Sequence, residues 1–336
     1  MRNKSLKKLY SRLIGIVFIL FVISHFVPVP YQVMQPGIAA ELSPMIEVKD
    51  GYENQGEFLL TAVSSRRAVA WDYFYIKFFA PEDKELTAIS EQLPEDMEMD
   101  QYIELMAELM EESKLQAQAV AFRQAGYEVE VSGEGAEVVE VMKDGSAHNN
   151  LKKEDLITAV DDKKVEMAAD AVNIIKNRDI GDVVKITVLR GGEELEFNLK
   201  TVELEGNEGN PSIGVLIRSK GLDYKIPREV KFETENIIGP SAGSMFSMEI
   251  YNQLTELDIT AGKKIAGTGT ISLDGEIGRI DGVKYKIMAA KEAGVDLFIV
   301  PAENYETASQ FAGSLKLLEV KTIEDIINYL EKSIEL

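Results

Sequence analysis

Apolar residues recur along this chain in blocks whose spacing changes from one stretch to the next, and each block predicts an element. From Leu13 to Val29 only Ser24 and His25 are polar, a run at the short end of what crosses a bilayer as a helix. Phe58 to Val63 and Trp71 to Phe79 are short, apolar and aromatic-rich, which predicts strands. Between Glu82 and Glu112, Tyr102, Leu105, Met106, Leu109 and Met110 fall at helical spacing among acids. That stripe predicts a helix with the methionines and leucines in the core and the acids in water. Val138 to Val141, Leu151 to Val160 and Val183 to Leu189 read as a small β-rich module, with a helix over Asp170 to Lys176. Gly191-Gly192 then leads into Glu194 to Phe197 as a hairpin. Met245, Phe246, Met248 and Ile250 predict a helix, and a second one starts near Gly282 and ends at Gly294. The fold class expected from this pattern is α+β.

The N-terminal run has a direction. Arg2, Lys4, Lys7, Lys8 and Arg12 precede it, and Pro28, Pro30 and Tyr31 mark its exit. Basic residues before a span predict the N-terminus inside and the remainder outside. Residues 1–32 are therefore expected to be a basic cytoplasmic stub and a single-pass, uncleaved signal-anchor that meets the membrane through residues 13–29. A cleaved signal peptide is the alternative, with Ile38-Ala39-Ala40 as a small-residue site.

Composition narrows what the remainder could do. The chain holds 57 acids against 36 Lys and Arg, a formal charge of −21, which argues against nucleic acid and against tight docking on anionic lipid. There are no cysteines among the 336 residues, so no thiol nucleophile and no thiolate zinc site. Neither Gly-x-x-x-x-Gly-Lys-Ser/Thr nor His-Glu-x-x-His occurs, and no nucleotide, metal or other cofactor is expected.

The candidate chemistry sits in Gly239-Pro240-Ser241-Ala242-Gly243. One serine lies among small residues, with proline where a helix would begin. At a helix N-terminus, free backbone N–H groups and the helix dipole stabilise a developing oxyanion. A hydrolase elbow of the Gly-x-Ser-x-Gly type carries its histidine after the serine, but His25 and His148 both precede Ser241. His148 lies in the turn-like stretch Gly145 to Asn150 and reads as an exposed loop residue. The remaining common partner for a serine nucleophile is a lysine. Burial must then lower its pKa from roughly 10.4, because desolvation penalises the charged form. Lys284 and Lys286, two apart at the start of the second helix, are both candidates.

Three stretches together resemble the proteolytic domain of Lon-type proteases: Gly239 to Gly243, Ala266 to Glu276, and Asp281-Gly282 with Lys286 and Ala289-Ala290. Val295 to Asn304, with its Pro-x-Glu-Asn end, is similar to the family's strand that follows. The resemblance implies that Ser241 is the nucleophile, Lys286 its base and Thr268 the support of that lysine. Gly239, Pro240, Ala242 and Gly243 would form the nucleophile loop. Lys284 falls on a variable position. Two residues depart from the family pattern, Ile238 before Gly239 and Asp281 where a glycine is usual. No catalytic atom is lost by either.

Residues 126–204 resemble a bacterial PDZ domain, with Leu151-Lys152-Lys153-Glu154-Asp155-Leu156-Ile157 in place of Leu-x-x-Gly-Asp-x-Ile. PDZ domains add a peptide to a sheet edge and hold a terminal carboxylate on backbone N–H groups. Gly133 and Gly135 are the candidate loop for that carboxylate. The division expected is 33–125 and 205–336 as two parts of one Lon-type domain of mixed α/β structure, with the PDZ domain inserted between them; three domains in series is the simpler alternative. The arrangement resembles a family of bacterial membrane-anchored serine peptidases. It implies an ATP-independent endopeptidase in the cytoplasmic membrane, its catalytic domain extracytoplasmic and its partners peptides or protein segments reached through the PDZ domain. The rival reading is a non-catalytic PDZ scaffold with a decayed protease domain.

Overall fold

The computed structural model describes residues 2–93, 97–204, 209–234 and 237–334, and its first helix overturns an expectation. Helix α1 spans Arg2–Ser24, and strand β1 (Pro28–Glu41) begins within the run that was expected to be one membrane span. The helical apolar part is thus only Leu13 to Ile23, with Arg2, Lys4, Lys7, Lys8 and Arg12 filling the first half of the helix. At 1.5 Å per residue that part is roughly 16 Å long, about half the thickness of a hydrocarbon core. Among the described residues no helix is long and apolar enough to cross a membrane. The transmembrane signal-anchor over residues 1–32, the membrane contact through 13–29 and the single-pass placement with an extracytoplasmic catalytic domain are corrected accordingly.

A second correction concerns Trp71 to Phe79. After strand β2 (Glu57–Val69) the chain forms helix α2 (Ala70–Phe79), not a strand. Aromatic residues favour strands only where a pleated neighbour covers them. Here the helix start is fixed instead: the Asp72 carboxylate accepts the Val69 N–H at 3.0 Å and pairs with Arg66 at 2.7 Å. Arg66 holds the Asp72 carboxyl below its ordinary value. Strand β3 (Glu85–Ala88) follows, and then the long helix α3 (Met99–Gln124), which buries Leu105 and Met110 as its stripe predicts.

Next comes a β-rich body. Its main strands are β4 (Gly135–Val141), β5 (Leu156–Val160), β6 (Val183–Arg190), β7 (Glu193–Lys200) and β8 (Val215–Lys220), with helix α4 (Ala168–Lys176) between β5 and β6. The strand order is β7-β6-β5-β4-β8. Gly191 and Gly192 make the two-residue turn between β6 and β7 with φ of 59° and 90°, left-handed values that glycine adopts at little cost. Residues 205–208, at the expected boundary after 204, lie outside the described residues.

The last third supplies helix α5 (Gly243–Leu254), strand β9 (Lys264–Gly267), helix α6 (Val283–Glu292), strand β10 (Leu297–Pro301), helix α7 (Ala302–Ala312), strand β11 (Leu317–Val320) and helix α8 (Ile323–Ile334). These strands share one sheet with those of residues 28–88, in the order β11-β10-β9-β2-β1-β3. β9 pairs parallel to both β2 and β10, whereas β1 pairs antiparallel to β2. All five residues of β10 are buried, as expected for a parallel strand covered on both faces. Phe58 and Leu60 of β2 meet Met245, Phe246 and Met248 of α5 and Phe122 of α3 on one face. On the other face Leu59 joins Phe298, Ile287 and Ala308 under α6 and α7.

Every residue of α5 is buried, including Glu249, which accepts from Gln253 Nε2 at 2.7 Å. Burial pushes the Glu249 carboxyl up from 4.5 to about 7. The unfolded chain therefore releases this proton before the folded one does, and stability falls as pH rises from 4.5 to 7. Glu249→Gln imitates the protonated acid and keeps the acceptor for Gln253. It should raise the melting temperature at pH 8, by a stabilisation on the order of 3 kcal/mol, and change it little at pH 4. Thermal melts at the two pH values check this; an equal shift at both would contradict the ionisation argument.

Candidate active site

The turn Pro240–Ala242 is a single 3₁₀ turn that runs straight into α5. Gly239 precedes it with φ of 90°, a left-handed conformation in which a side chain would be strained. Two groups of α3 hold the turn from the side. The Met106 carbonyl accepts the Gly239 N–H at 3.1 Å, and Ser113 Oγ donates to the Pro240 carbonyl at 3.2 Å. Gly243 lies so close beneath that a Cβ there would come within 2.5 Å of Ser113 Oγ and 2.7 Å of Ile271. Sequence reasoning missed Met106 and Ser113 as site residues; the only signal was a serine on the buried side of an otherwise acidic helix.

Thr268 follows β9 directly and is fully buried. Its hydroxyl donates to the Ser241 carbonyl at 2.9 Å, and the Gly269 N–H reaches the same oxygen at 2.9 Å. Lys286 enters from α6, on the opposite face of the sheet, and is 3% exposed. Its Nζ stands 2.7 Å from Ser241 Oγ and 2.8 Å from Thr268 Oγ1. The threonine hydroxyl spends its proton on the Ser241 carbonyl, so toward the lysine it is an acceptor. One N–H of Lys286 is thereby fixed on Thr268, and a neutral amine aims its lone pair at the serine hydroxyl. Burial lowers the Lys286 amine from 10.5 to about 7, and the Asp281 carboxylate opposes that shift.

Lys284, the other candidate, points away. Its Nζ lies over the rings of Tyr285 and Phe311, at 5.2 and 5.5 Å. His25 packs edge-on to Phe21 and stacks on Trp71, next to α1 and far along the chain from Ser241. His148 is exposed in the turn between β4 and β5. The turn before α6 is pinned by Asn304, whose side chain accepts the Ile280 N–H and donates to the Ile280 carbonyl, both at 2.9 Å. Asn304 was legible only as the end of the Pro-x-Glu-Asn stretch.

Gly133 precedes strand β4 and Gly135 opens it. A Cβ at Gly133 would come within 2.1 Å of the Glu166 carbonyl, and Gly135 starts β4, which is paired on both sides by β5 and β8. β8 is one of the two edge strands of this sheet, and α4 lies beside it. Between them lies a groove of about 510 Å³ lined by Val172, Ile175, Val215 and Ile217 and by the turn Asn210 to Ile213. It was missed because β8 lies beyond residue 204; the signal was the alternation Ile213-Gly214-Val215 after a polar turn. Among the described residues no cluster of acids and histidines could hold a metal ion.

Two family models match this chain. Residues 124–201 match that of the PDZ domain, and residues 236–334 match that of the Lon protease (S16) C-terminal proteolytic domain. Lon protease 2 of Bacillus subtilis is 34% identical over 92 residues, 27% of this chain and 16% of that protein. Lon protease of Chloroflexus aggregans is 27% identical over 164 residues, 44% of this chain and 19% of that protein. A serine protease Do-like HtrA of Lactobacillus helveticus is 40% identical over 74 residues, 22% of this chain and 17% of that protein. The matches thus span less than a fifth of these relatives. Among solved structures, the PDZ domain of an SdrC-like protein from Listeria monocytogenes is 27% identical with a TM-score of 0.25, covering 26% of this chain and 92% of that one.

Proposed function

We propose that this chain, which carries a PDZ domain followed by a Lon-type proteolytic domain, is an ATP-independent serine endopeptidase working through Ser241 and Lys286. The observation that carries the reading is the contact of Lys286 Nζ with Ser241 Oγ and Thr268 Oγ1, at 2.7 and 2.8 Å, in a site dry enough to bring the amine to about 7. A lysine at its ordinary value would be neutral in fewer than about one molecule in a thousand at pH 7. Burial here brings the amine's value down to about 7, so the neutral form is accessible at that pH.

In this mechanism neutral Lys286 takes the proton of Ser241 as Oγ attacks the scissile carbonyl. The amide N–H groups of Gly243 and Ser244 are engaged by the carbonyls of Pro240 and Gly269, so the oxyanion is assigned to those of Ser241 and Ala242. Lys286, now charged, returns the proton to the leaving amine, and water repeats the sequence on the acyl-enzyme. Thr268 keeps the amine aligned throughout. Substrates are extended peptides or unfolded segments, taken up along β8. The same reading makes the PDZ domain an insertion, since strands of residues 28–88 and 264–320 lie in one sheet around it.

The test is hydrolysis of an unfolded protein by the purified full chain, with fragments mapped by mass spectrometry, in the absence of nucleotide and divalent metal. Cleavage that required ATP and Mg²⁺ would contradict the proposal. The rate should also rise with pH to a plateau, with its midpoint near the Lys286 value of about 7, because only the neutral amine can accept the proton. A midpoint above about pH 9 would place the base in water rather than in this pocket.

A further inference from the structure

The groove along β8 has a second wall that does not come from the PDZ domain. Gly278, Arg279, Ile280 and Asp281, the turn that leads through Gly282 into α6, close it from the proteolytic side. That wall is fixed in place: Asn304 clamps Ile280 from below, and its neighbour Glu303 reaches Lys176 of α4 at 3.9 Å across the groove. Lys176 is thus matched by Glu303. Arg279 is exposed, and among the described residues it has neither an ion pair nor a hydrogen bond.

The position of these cations decides how a strand would lie. Lys176 ends α4, and the turn Asn210 to Ile213 feeds the start of β8 at Val215. The Ala168 N–H at the start of α4 donates to Ser219 Oγ near the end of β8, so α4 runs antiparallel to β8 and Lys176 lies toward Val215. Glu303 meets Lys176 there, and the Arg279-Ile280 turn is joined to it through Asn304. A strand added antiparallel to β8 would finish there, bringing its terminal carboxylate beside Arg279. A parallel strand would bring its terminal ammonium beside Arg279 instead, with Lys176 already matched by Glu303. A guanidinium presents a planar fork that fits a carboxylate through two N–H donors.

We propose that the groove is a composite site in which the free C-terminal carboxylate of an extended peptide is held jointly by the PDZ domain and by Arg279 of the proteolytic domain. Val172 and Ile175 take its last apolar side chain. This rests on the PDZ domain being the peptide-binding element of the proposed function, and it adds that recognition needs the catalytic body. The pairing is a specificity device in a molecule whose net charge of −21 would otherwise repel a peptide anion.

The experiment uses the full chain carrying Ser241→Ala, so that probes survive. The probes are fluorescein-labelled peptides of about ten residues, randomised except for an apolar last residue, supplied as free acids and as C-terminal amides, and read by fluorescence anisotropy. The free acids should bind at least about tenfold tighter than the amides. Arg279→Gln should shrink that difference at least about threefold by weakening the acids alone, and Val172→Glu, at a half-exposed position, should abolish binding of both. Acids that bind equally well with and without the Arg279→Gln change, while Val172→Glu still blocks them, overturn the role of Arg279 and leave the PDZ groove standing. Binding that survives Val172→Glu, or no binding by any probe, overturns the groove itself.

Discussion

Ser241→Ala should lower peptide hydrolysis by at least about a thousandfold, Lys286→Met should do the same, and the double variant should be no slower than either single one. Non-additivity is the informative part. In the proposed mechanism the two groups act on one proton, so once either is gone the other has nothing left to do. Lys286→Met keeps the length and apolar stem of a side chain that is 3% exposed, so the loss would be chemical rather than structural. Removing a buried amine with a value near 7 should, if anything, stabilise the fold. Lys284→Ala should retain most activity, since that lysine sits over Tyr285 and Phe311. Steady-state rates on one peptide for all four variants decide the matter. An inactive Lys284→Ala beside an active Lys286→Met would overturn the assignment of the base. Peptide binding by a wild-type chain that cleaves nothing would favour the scaffold reading.

The second large effect concerns folding. Residues 205–336 expressed alone should fail to unfold cooperatively, although they contain Ser241, Thr268 and Lys286. Without residues 28–88, β9 has an unpaired edge where β2 lay, and Phe58 and Leu60 no longer cover α5. Without α3, the carbonyl of Met106 and the hydroxyl of Ser113 no longer hold the Ser241 turn. Replacing residues 126–220 by a short linker should, by contrast, leave a cooperative unit that still hydrolyses short peptides, because the strands of the mixed sheet are all retained. Calorimetry and near-ultraviolet circular dichroism on the two truncated chains are the measurement. Cooperative melting with full activity from 205–336 would make the domains serial and independent.

The chemistry of this site was more legible in the sequence than its supports. Ser241, Thr268 and Lys286 lie in short motifs because each sits on a tight local structure: a 3₁₀ turn, the end of a strand and the first turns of a helix. The choice of Lys286 over Lys284 came from the family likeness; spacing left both open, since only the packing of α6 on the sheet decides which lysine faces β9. Trp71 to Phe79 misled because nine mostly aromatic residues satisfy strand propensity, while the cap that makes them a helix depends on Asp72 meeting Arg66 from β2. Leu13 to Val29 misled for a related reason: hydropathy cannot reveal that Pro28 and Val29 belong to a strand paired with Val69. The peptide groove was hidden because its two walls lie far apart in sequence, and such contacts leave no periodicity to read.

The order of strands in the mixed sheet has a consequence in time. Translation delivers β1, β2 and β3 first and the PDZ domain next, while Ser241, Thr268 and Lys286 emerge only in the last third. Until β9 slots in beside β2, the serine turn has no threonine beneath it and the lysine no dry pocket in which to lose its proton. A ribosome-bound chain could therefore already display a finished PDZ sheet while holding no competent nucleophile. On the proposed mechanism, hydrolytic power would arrive in a single late step, when the C-terminal strands close onto the N-terminal ones, and an interrupted chain would be released inert.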